Sequence, residues 1–173
     1  ELMGKRDGLS KGKAGSMHLA APDYGIIGSS AVVASTISHA VGAALASKIK
    51  GEIDKVFVAN FGDGAMEQGV FHESLNFAAL HKVPVLFLCE DNGLAVHTSL
   101  NERQAFQPSQ LIESYGIPYY ELREGYDPEN VKEISRIAIE KVRTEQIPVF
   151  LKISTARYRE HVGPGEDFSA GYR

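Results

Sequence analysis

Two side chains in this sequence could share a divalent cation: Asp63, set between Gly62 and Gly64, and Asn92, separated from that turn by 27 residues. A carboxylate and a side-chain amide oxygen are hard donors that suit Mg²⁺, an ion that otherwise prefers water and phosphate oxygens. Gly64 and Ala65 follow the carboxylate at an expected helix start, where free backbone N–H groups and the helix dipole favour phosphate. The chemistry implied is the binding of a metal-bound diphosphate. A plainer reading gives Asp63 only the task of capping that helix, between glycines that permit the turn. Against it stands the next apolar run, which also ends in an acidic, amide-bearing loop, Glu90-Asp91-Asn92. In a parallel sheet, two neighbouring strand ends bring Asp63 and Asn92 to one edge of the fold.

Such a site needs strands and helices in alternation. Residues 56–61 form a short apolar run ending in Gly-Asp-Gly, and residues 67–80 carry helical spacing through Val70, Phe71, Leu75 and Ala78, which predicts strand, turn, helix. Upstream, residues 34–50 place Ile37, Val41, Ala44, Leu45 and Ile49 on one face of a closely packed helix. Residues 83–90 are almost continuously apolar, as in a parallel strand covered on both faces. "DNGLAVHTSLNERQ" reads as a polar loop, and residues 117–122 as a further strand. Asp127 then offers an N-cap with Pro128 at the first helical position, and Val131, Ile134, Ala138 and Val142 turn that helix inward. Residues 148–154 close the series as a strand. The expected fold is α/β, one domain over residues 1–173, with a parallel sheet and helices on both faces.

Composition narrows the function. Of the 173 residues, 43% are hydrophobic, and 18 Lys plus Arg stand against 22 Asp plus Glu, so the net charge of −4 provides no basic footprint for nucleic acid and no polybasic membrane anchor. No apolar run approaches the roughly 20 residues needed to cross a bilayer. Cys89, alone in an apolar run, excludes an internal disulfide framework and fits a reducing compartment. The polar, Gly-rich opening reads like the middle of a longer protein.

Gly62-Asp63-Gly64 followed by Asn92 resembles the thiamine diphosphate signature of thiamine-dependent enzymes. The segments "KGKAGSMHL", "VGAALASK", "GDGAMEQGVFHESLNFAAL" and "EDNGLAVHTS" widen the likeness to the α subunit of the E1 component of 2-oxoacid dehydrogenase complexes, the group of pyruvate, branched-chain and acetoin dehydrogenases. It extends over essentially the whole chain. The resemblance implies a thiamine diphosphate-binding fold in which Asp63, Asn92 and the backbone carbonyl of Leu94 bind Mg²⁺, while Gly62 shapes the turn and Gly64 and Ala65 present amides to the diphosphate. The family's pyrimidine-contacting turn, Gly-Ile-Val-Gly, falls on Ala31-Val32-Val33-Ala34, so backbone groups of Ala31 and Val33 would touch the cofactor, although both glycines are alanine here. Val96 would support the bent cofactor.

In "RYREHVGP", His161 corresponds to the second histidine of the family's "RYHGHS" loop, near the cofactor phosphate and the active-site channel. Arg159 stands for the first histidine and Val162 for the serine that follows the second, which removes that serine as a phosphorylation point. Asp91 replaces the first asparagine of an Asn-Asn pair. His18 is expected near the site; His39, His72 and His81 read as packing or surface residues, and His97 follows the metal loop. Glu67 reads as a first-turn residue favoured by the helix dipole.

The resemblance further implies oxidative decarboxylation of a 2-oxoacid, or cleavage of acetoin, with acyl transfer to a lipoyl-bearing E2 partner. The carboxylate that activates the pyrimidine would come from a β subunit in an α2β2 assembly, working in the cytoplasm or, in a eukaryote, in the mitochondrial matrix. Two other readings share the motif: a transketolase-like thiamine enzyme, and a non-catalytic scaffold that keeps the fold without the cofactor. A nicotinamide-binding turn is excluded, because "GDGAME" lacks the third glycine of G-x-G-x-x-G.

Overall fold

The structure, a computed structural model, describes residues 2–169 and 171. Its centre is a sheet of four parallel strands, β1 (Phe57–Gly62), β2 (Val85–Asp91), β5 (Tyr119–Leu122) and β6 (Val149–Ser154), in the order β1-β2-β6-β5. Register places Gly62 beside Glu90, and Asp91 beside Ser154, so the carboxyl ends of β1, β2 and β6 lie together. A two-stranded hairpin, β3 (Leu94–Ala95) with β4 (Thr98–Ser99), follows β2 directly.

Both faces of the sheet are covered. On one, α1 (Ser35–Ile49) and α2 (Gly69–His81) bury Ile37, Val41, Ala44, Phe71, Leu75 and Ala78 against Ala59, Phe61, Phe87, Cys89 and Phe150. On the other, α5 (Pro128–Glu145) sets Ala138 and Val142 against Leu86, Val149, Leu151 and Ile153, with Val131 and Ile134 half-buried beside them. β2 and β6 are apolar at nearly every position because their side chains alternate between two covered faces, whereas β1 leaves Val58 and Asn60 exposed. Asp127 starts α5 as expected, its Oδ1 accepting from the amides of Glu129 (3.0 Å) and Asn130 (3.4 Å).

Three expectations need correction. Ile49 does not share the buried face of α1 but is 77% exposed; twelve residues after Ile37, it lies roughly 120° round a helix that turns about 100° per residue. The 67–80 helix does not run on from the Gly-Asp-Gly turn. Asp63–Glu67 form a separate 3-10 turn, Gln68 is extended, and α2 starts at Gly69. The stretch after β2 is not a plain loop: it contains the β3–β4 hairpin and α3 (Leu100–Arg103), which is held by a capping box between Ser99 and Glu102. A further helix, α4 (Pro108–Ser114), precedes β5 and buries Ile112. Among the described residues no helix is long and apolar enough to cross a membrane.

Candidate functional site

Asp63 leaves the end of β1 with its side chain turned across the sheet edge rather than onto its own helix. Gly62 is the N-cap of the 3-10 turn, and no side chain caps it. The carboxylate, on a residue only 1% exposed, accepts the Asn92 backbone N–H on Oδ1 at 3.2 Å. The capping role considered for Asp63 is therefore absent, and the residue joins two strand ends. Gly64 is needed for close approach: a Cβ there would stand 2.8 Å from the Ala95 Cβ of the hairpin. Ala65 and Met66 bury the rest of the turn. Because the turn is a short 3-10 segment, Gly64 and Ala65 are not the first turn of the long helix expected there, which begins only at Gly69.

Asn92 opens the loop that follows β2. Its Oδ1 accepts the Leu94 N–H at 3.0 Å, and Asp91 Oδ1 accepts the Gly93 N–H at 3.0 Å, so two consecutive Asx turns shape the segment. Gly93 has φ 78. Asp91 is fixed from the neighbouring strand, with Lys152 Nζ 3.0 Å from its Oδ2 and 3.3 Å from Glu121 Oε1. Leu94 begins the hairpin, opposite Ser99. Val96 turns it at φ 55, a left-handed value that β-branched residues rarely adopt.

Arg103 occupies the middle of the site. Its guanidinium pairs with Asp63 Oδ2 through Nη2 and with Glu67 Oε1 through Nη1 at 2.6 Å, while Nε donates to the Thr98 carbonyl at 3.3 Å. Gln104 Nε2 also donates to Glu67 Oε1, at 2.8 Å. Glu67 is thus an anchor for α3 and not merely a first-turn carboxylate. Reading by sequence missed Arg103; the signal was the Ser-x-x-Glu capping box immediately before it, which makes 99–103 a helix instead of loop.

The remaining expected residues belong to two other segments. Ala31 and Val33 are exposed on the lead-in to α1, and Ala34, at the N-cap position of α1, takes φ 64. His161 is exposed in a loop closed by an isolated bridge between Arg159 and Glu166. The base of that loop is tied to the hairpin, since Arg157 holds the buried Asp167 through Nε (2.6 Å) and Nη2 (2.8 Å) and donates from Nη2 to the Val96 carbonyl at 2.7 Å. His72 meets Phe71 and Phe106 edge-on, and His81 packs against Phe77, as packing residues would. Cys89, fully buried two residues before Asp91, has its thiol pushed well above 9.0 by burial, with the charges of Asp91 and Asp63 adding to the effect.

This geometry can be set beside known proteins. The family model described as "Dehydrogenase E1 component" matches residues 1–173. A pyruvate dehydrogenase E1 component subunit alpha from Rhizobium meliloti is 41% identical over 162 residues, covering 93% of this chain and 46% of that protein. The alpha subunit of acetoin:2,6-dichlorophenolindophenol oxidoreductase from Bacillus subtilis is 37% identical, covering 93% of this chain and 48% of its own. The chain thus spans about half the length of these relatives. A transketolase from Pichia stipitis superposes with a TM-score of 0.65 at 18% identity, over 73% of this chain and 20% of that one, a likeness of fold alone. With the family model matched from end to end, the chain belongs to the dehydrogenase E1 component family.

Proposed function

We propose that this chain is the α subunit of a thiamine diphosphate-dependent 2-oxoacid or acetoin dehydrogenase, and that it holds the cofactor's diphosphate through Mg²⁺ at Asp63. The observation that carries this reading is the buried Asp63 carboxylate, which reaches from β1 to the Asn92 amide at the end of β2 with a positive group on its second oxygen. The guanidinium of Arg103 is a stand-in cation, and it marks the place as one that stabilises positive charge. The donors fit in kind: one carboxylate, the Asn92 side-chain oxygen and the Leu94 carbonyl are hard oxygens, few enough to leave Mg²⁺ positions for water and phosphate. When bound, thiamine diphosphate supplies the nucleophile and the electron sink for cleaving the bond beside a 2-oxo group.

The chain's own share is binding and orientation. Asp63, Asn92 and Leu94 would hold the metal, with Gly62, Gly64 and Ala65 forming the turn under the diphosphate. Ala31, Val33 and Val96 would line the rest of the cofactor, and His161 would stand on a loop whose base is pinned to Val96. A β subunit completes the site, and a lipoyl-bearing E2 protein accepts the acyl group. Burial against another chain is supported by the apolar run on the approach to α1, where Tyr24, Ile26, Ile27, Val32 and Val33 are each more than half exposed. The relatives include mitochondrial proteins, such as one from Pan troglodytes, which fits work in the matrix of a eukaryote or the cytoplasm of a bacterium.

Calorimetry of thiamine diphosphate binding to the full-length chain, with and without its β subunit, in Mg²⁺ and in EDTA, tests this directly. Binding that needs metal and partner and is lost in Asp63→Ala is the expected result. No binding under any of these conditions would leave the non-catalytic scaffold as the better reading.

A further inference from the structure

We propose that Arg103 and the divalent cation are alternative occupants of Asp63 Oδ2, so that loading the site requires the guanidinium to let go; this rests on the metal-diphosphate reading above. Of the two Asp63 oxygens, Oδ1 is engaged by the Asn92 N–H that joins β1 to β2. Oδ2 is the oxygen left for a metal, and Arg103 sits on it. A guanidinium and a metal ion compete for the same lone pairs and repel one another, the more strongly because the Asp63 and Arg103 side chains are only 1% and 10% exposed.

The surroundings are built for such an exchange. Arg103 has a second carboxylate in Glu67 at 2.6 Å, and Glu67 is steadied by Gln104 at 2.8 Å, so a guanidinium that leaves Asp63 keeps a partner. It stands at the last position of α3, a single turn, and a small shift of that turn moves it without disturbing the sheet. In formal charge, two carboxylates and one guanidinium leave a single negative charge, which a divalent ion converts into a single positive one. An anionic diphosphate then balances it. Metal alone meets a competitor and a poor charge balance, whereas metal with diphosphate meets a compensated site, so the two should load together. In the cofactor-free chain the same arginine neutralises a carboxylate that would otherwise be buried bare.

The test is Mn²⁺ binding, followed by electron paramagnetic resonance, to the full-length chain with its β subunit, with and without thiamine diphosphate, for the unaltered protein, Arg103→Met and Asp63→Asn. Without thiamine diphosphate, Arg103→Met should bind Mn²⁺ more tightly than the unaltered protein, on the order of tenfold or more, as expected from the loss of a competing charge-assisted hydrogen bond. Equal or weaker Mn²⁺ binding by Arg103→Met overturns the competition. If, in that case, the unaltered protein still binds Mn²⁺ with thiamine diphosphate and Asp63→Asn does not, the metal-diphosphate reading survives. Binding by no protein in either arm overturns both. Should thermal unfolding show that Arg103→Met does not fold, Arg103→Gln, which drops the charge but keeps a side-chain N–H donor for Glu67, takes its place under the same two outcomes.

Discussion

Lys152 is a residue of the sheet on which the shape of the Asn92 loop depends, and Lys152→Met measures how strongly. The substitution keeps length and apolar stem but removes the ammonium that lies 3.0 Å from Asp91 Oδ2 and 3.3 Å from Glu121 Oε1, with the Lys152 and Asp91 side chains 15% and 10% exposed. Removing one partner of a buried pair destabilises by about 3–5 kcal/mol. Asp91 retains the Gly93 N–H, which puts the expected loss at the low end, about 3 kcal/mol. For a chain of this size that lowers the melting temperature by about 6–12 °C. Asp91→Asn in the Lys152→Met background removes the stranded charge and should recover most of the loss, so unfolding of both single variants and the double variant gives the coupling directly. Burial works against the Lys152 charge, but the Asp91 hydrogen bond and the charges of Asp91 and Glu121 outweigh it and hold the ammonium above its usual 10.5. A folded-state value raised above the unfolded one stabilises fully below pH 10.5 and fades as pH climbs through the folded value. The penalty of Lys152→Met should accordingly shrink above that pH. A single-variant loss under about 1 kcal/mol, the size of an exposed pair, would refute the argument.

Three other perturbations probe the same corner. Gly64→Ala drives a Cβ to 2.8 Å from the Ala95 Cβ, and overpacking of this kind should destabilise by about 1–3 kcal/mol in urea unfolding; adding Ala95→Gly should relieve it. Val96→Asn replaces a β-branched residue at φ 55, 43% exposed, with one that tolerates the left-handed region, and should raise stability by about 1 kcal/mol. Cys89, fully buried and with its thiol pushed well above 9.0 chiefly by burial, should stay inert to a thiol reagent at neutral pH. Its labelling in a urea titration should follow global unfolding, and rapid labelling of the native chain would contradict the burial.

The parallel sheet, its covering helices and the meeting of Asp63 with Asn92 were legible because each rests on a strong local signal: apolar strands bounded by glycine and acidic residues, and periodic helices. Pairing of a β1 end with a β2 end follows from any short crossover connection, which is why the spacing alone brought Asp63 to Asn92. What stayed hidden depends on partners distant in sequence. Nothing in the immediate neighbourhood of Lys152 says that it faces Asp91, since that follows from β6 lying beside β2, a matter of strand order. Arg103 was hidden because a four-residue helix has too little periodicity to stand out from a polar loop, and only its capping box betrays it. The break at Gln68 escaped because the 3-10 turn and α2 share apolar residues at spacings that one continuous helix would also produce.

The position of β6, after β5 in sequence yet between β2 and β5 in the sheet, also dictates an order of assembly. Until it arrives, β2 presents one open edge and β5 has no neighbour in the sheet, because both pair only with strands that the register assigns to β1 or β6. Emerging from a ribosome, the chain can pair β1 with β2 early through the nearby α2 crossover, but it must wait for β6, which ends at residue 154, before these four strands are joined. Contacts of such long sequence separation form slowly. The Lys152–Asp91 link arrives with β6, so the loop carrying Asn92 gains its support in the same event that joins β5 to β2. A nascent chain paused short of β6 would expose an apolar strand edge to other chains, and that interval is when it most needs a chaperone.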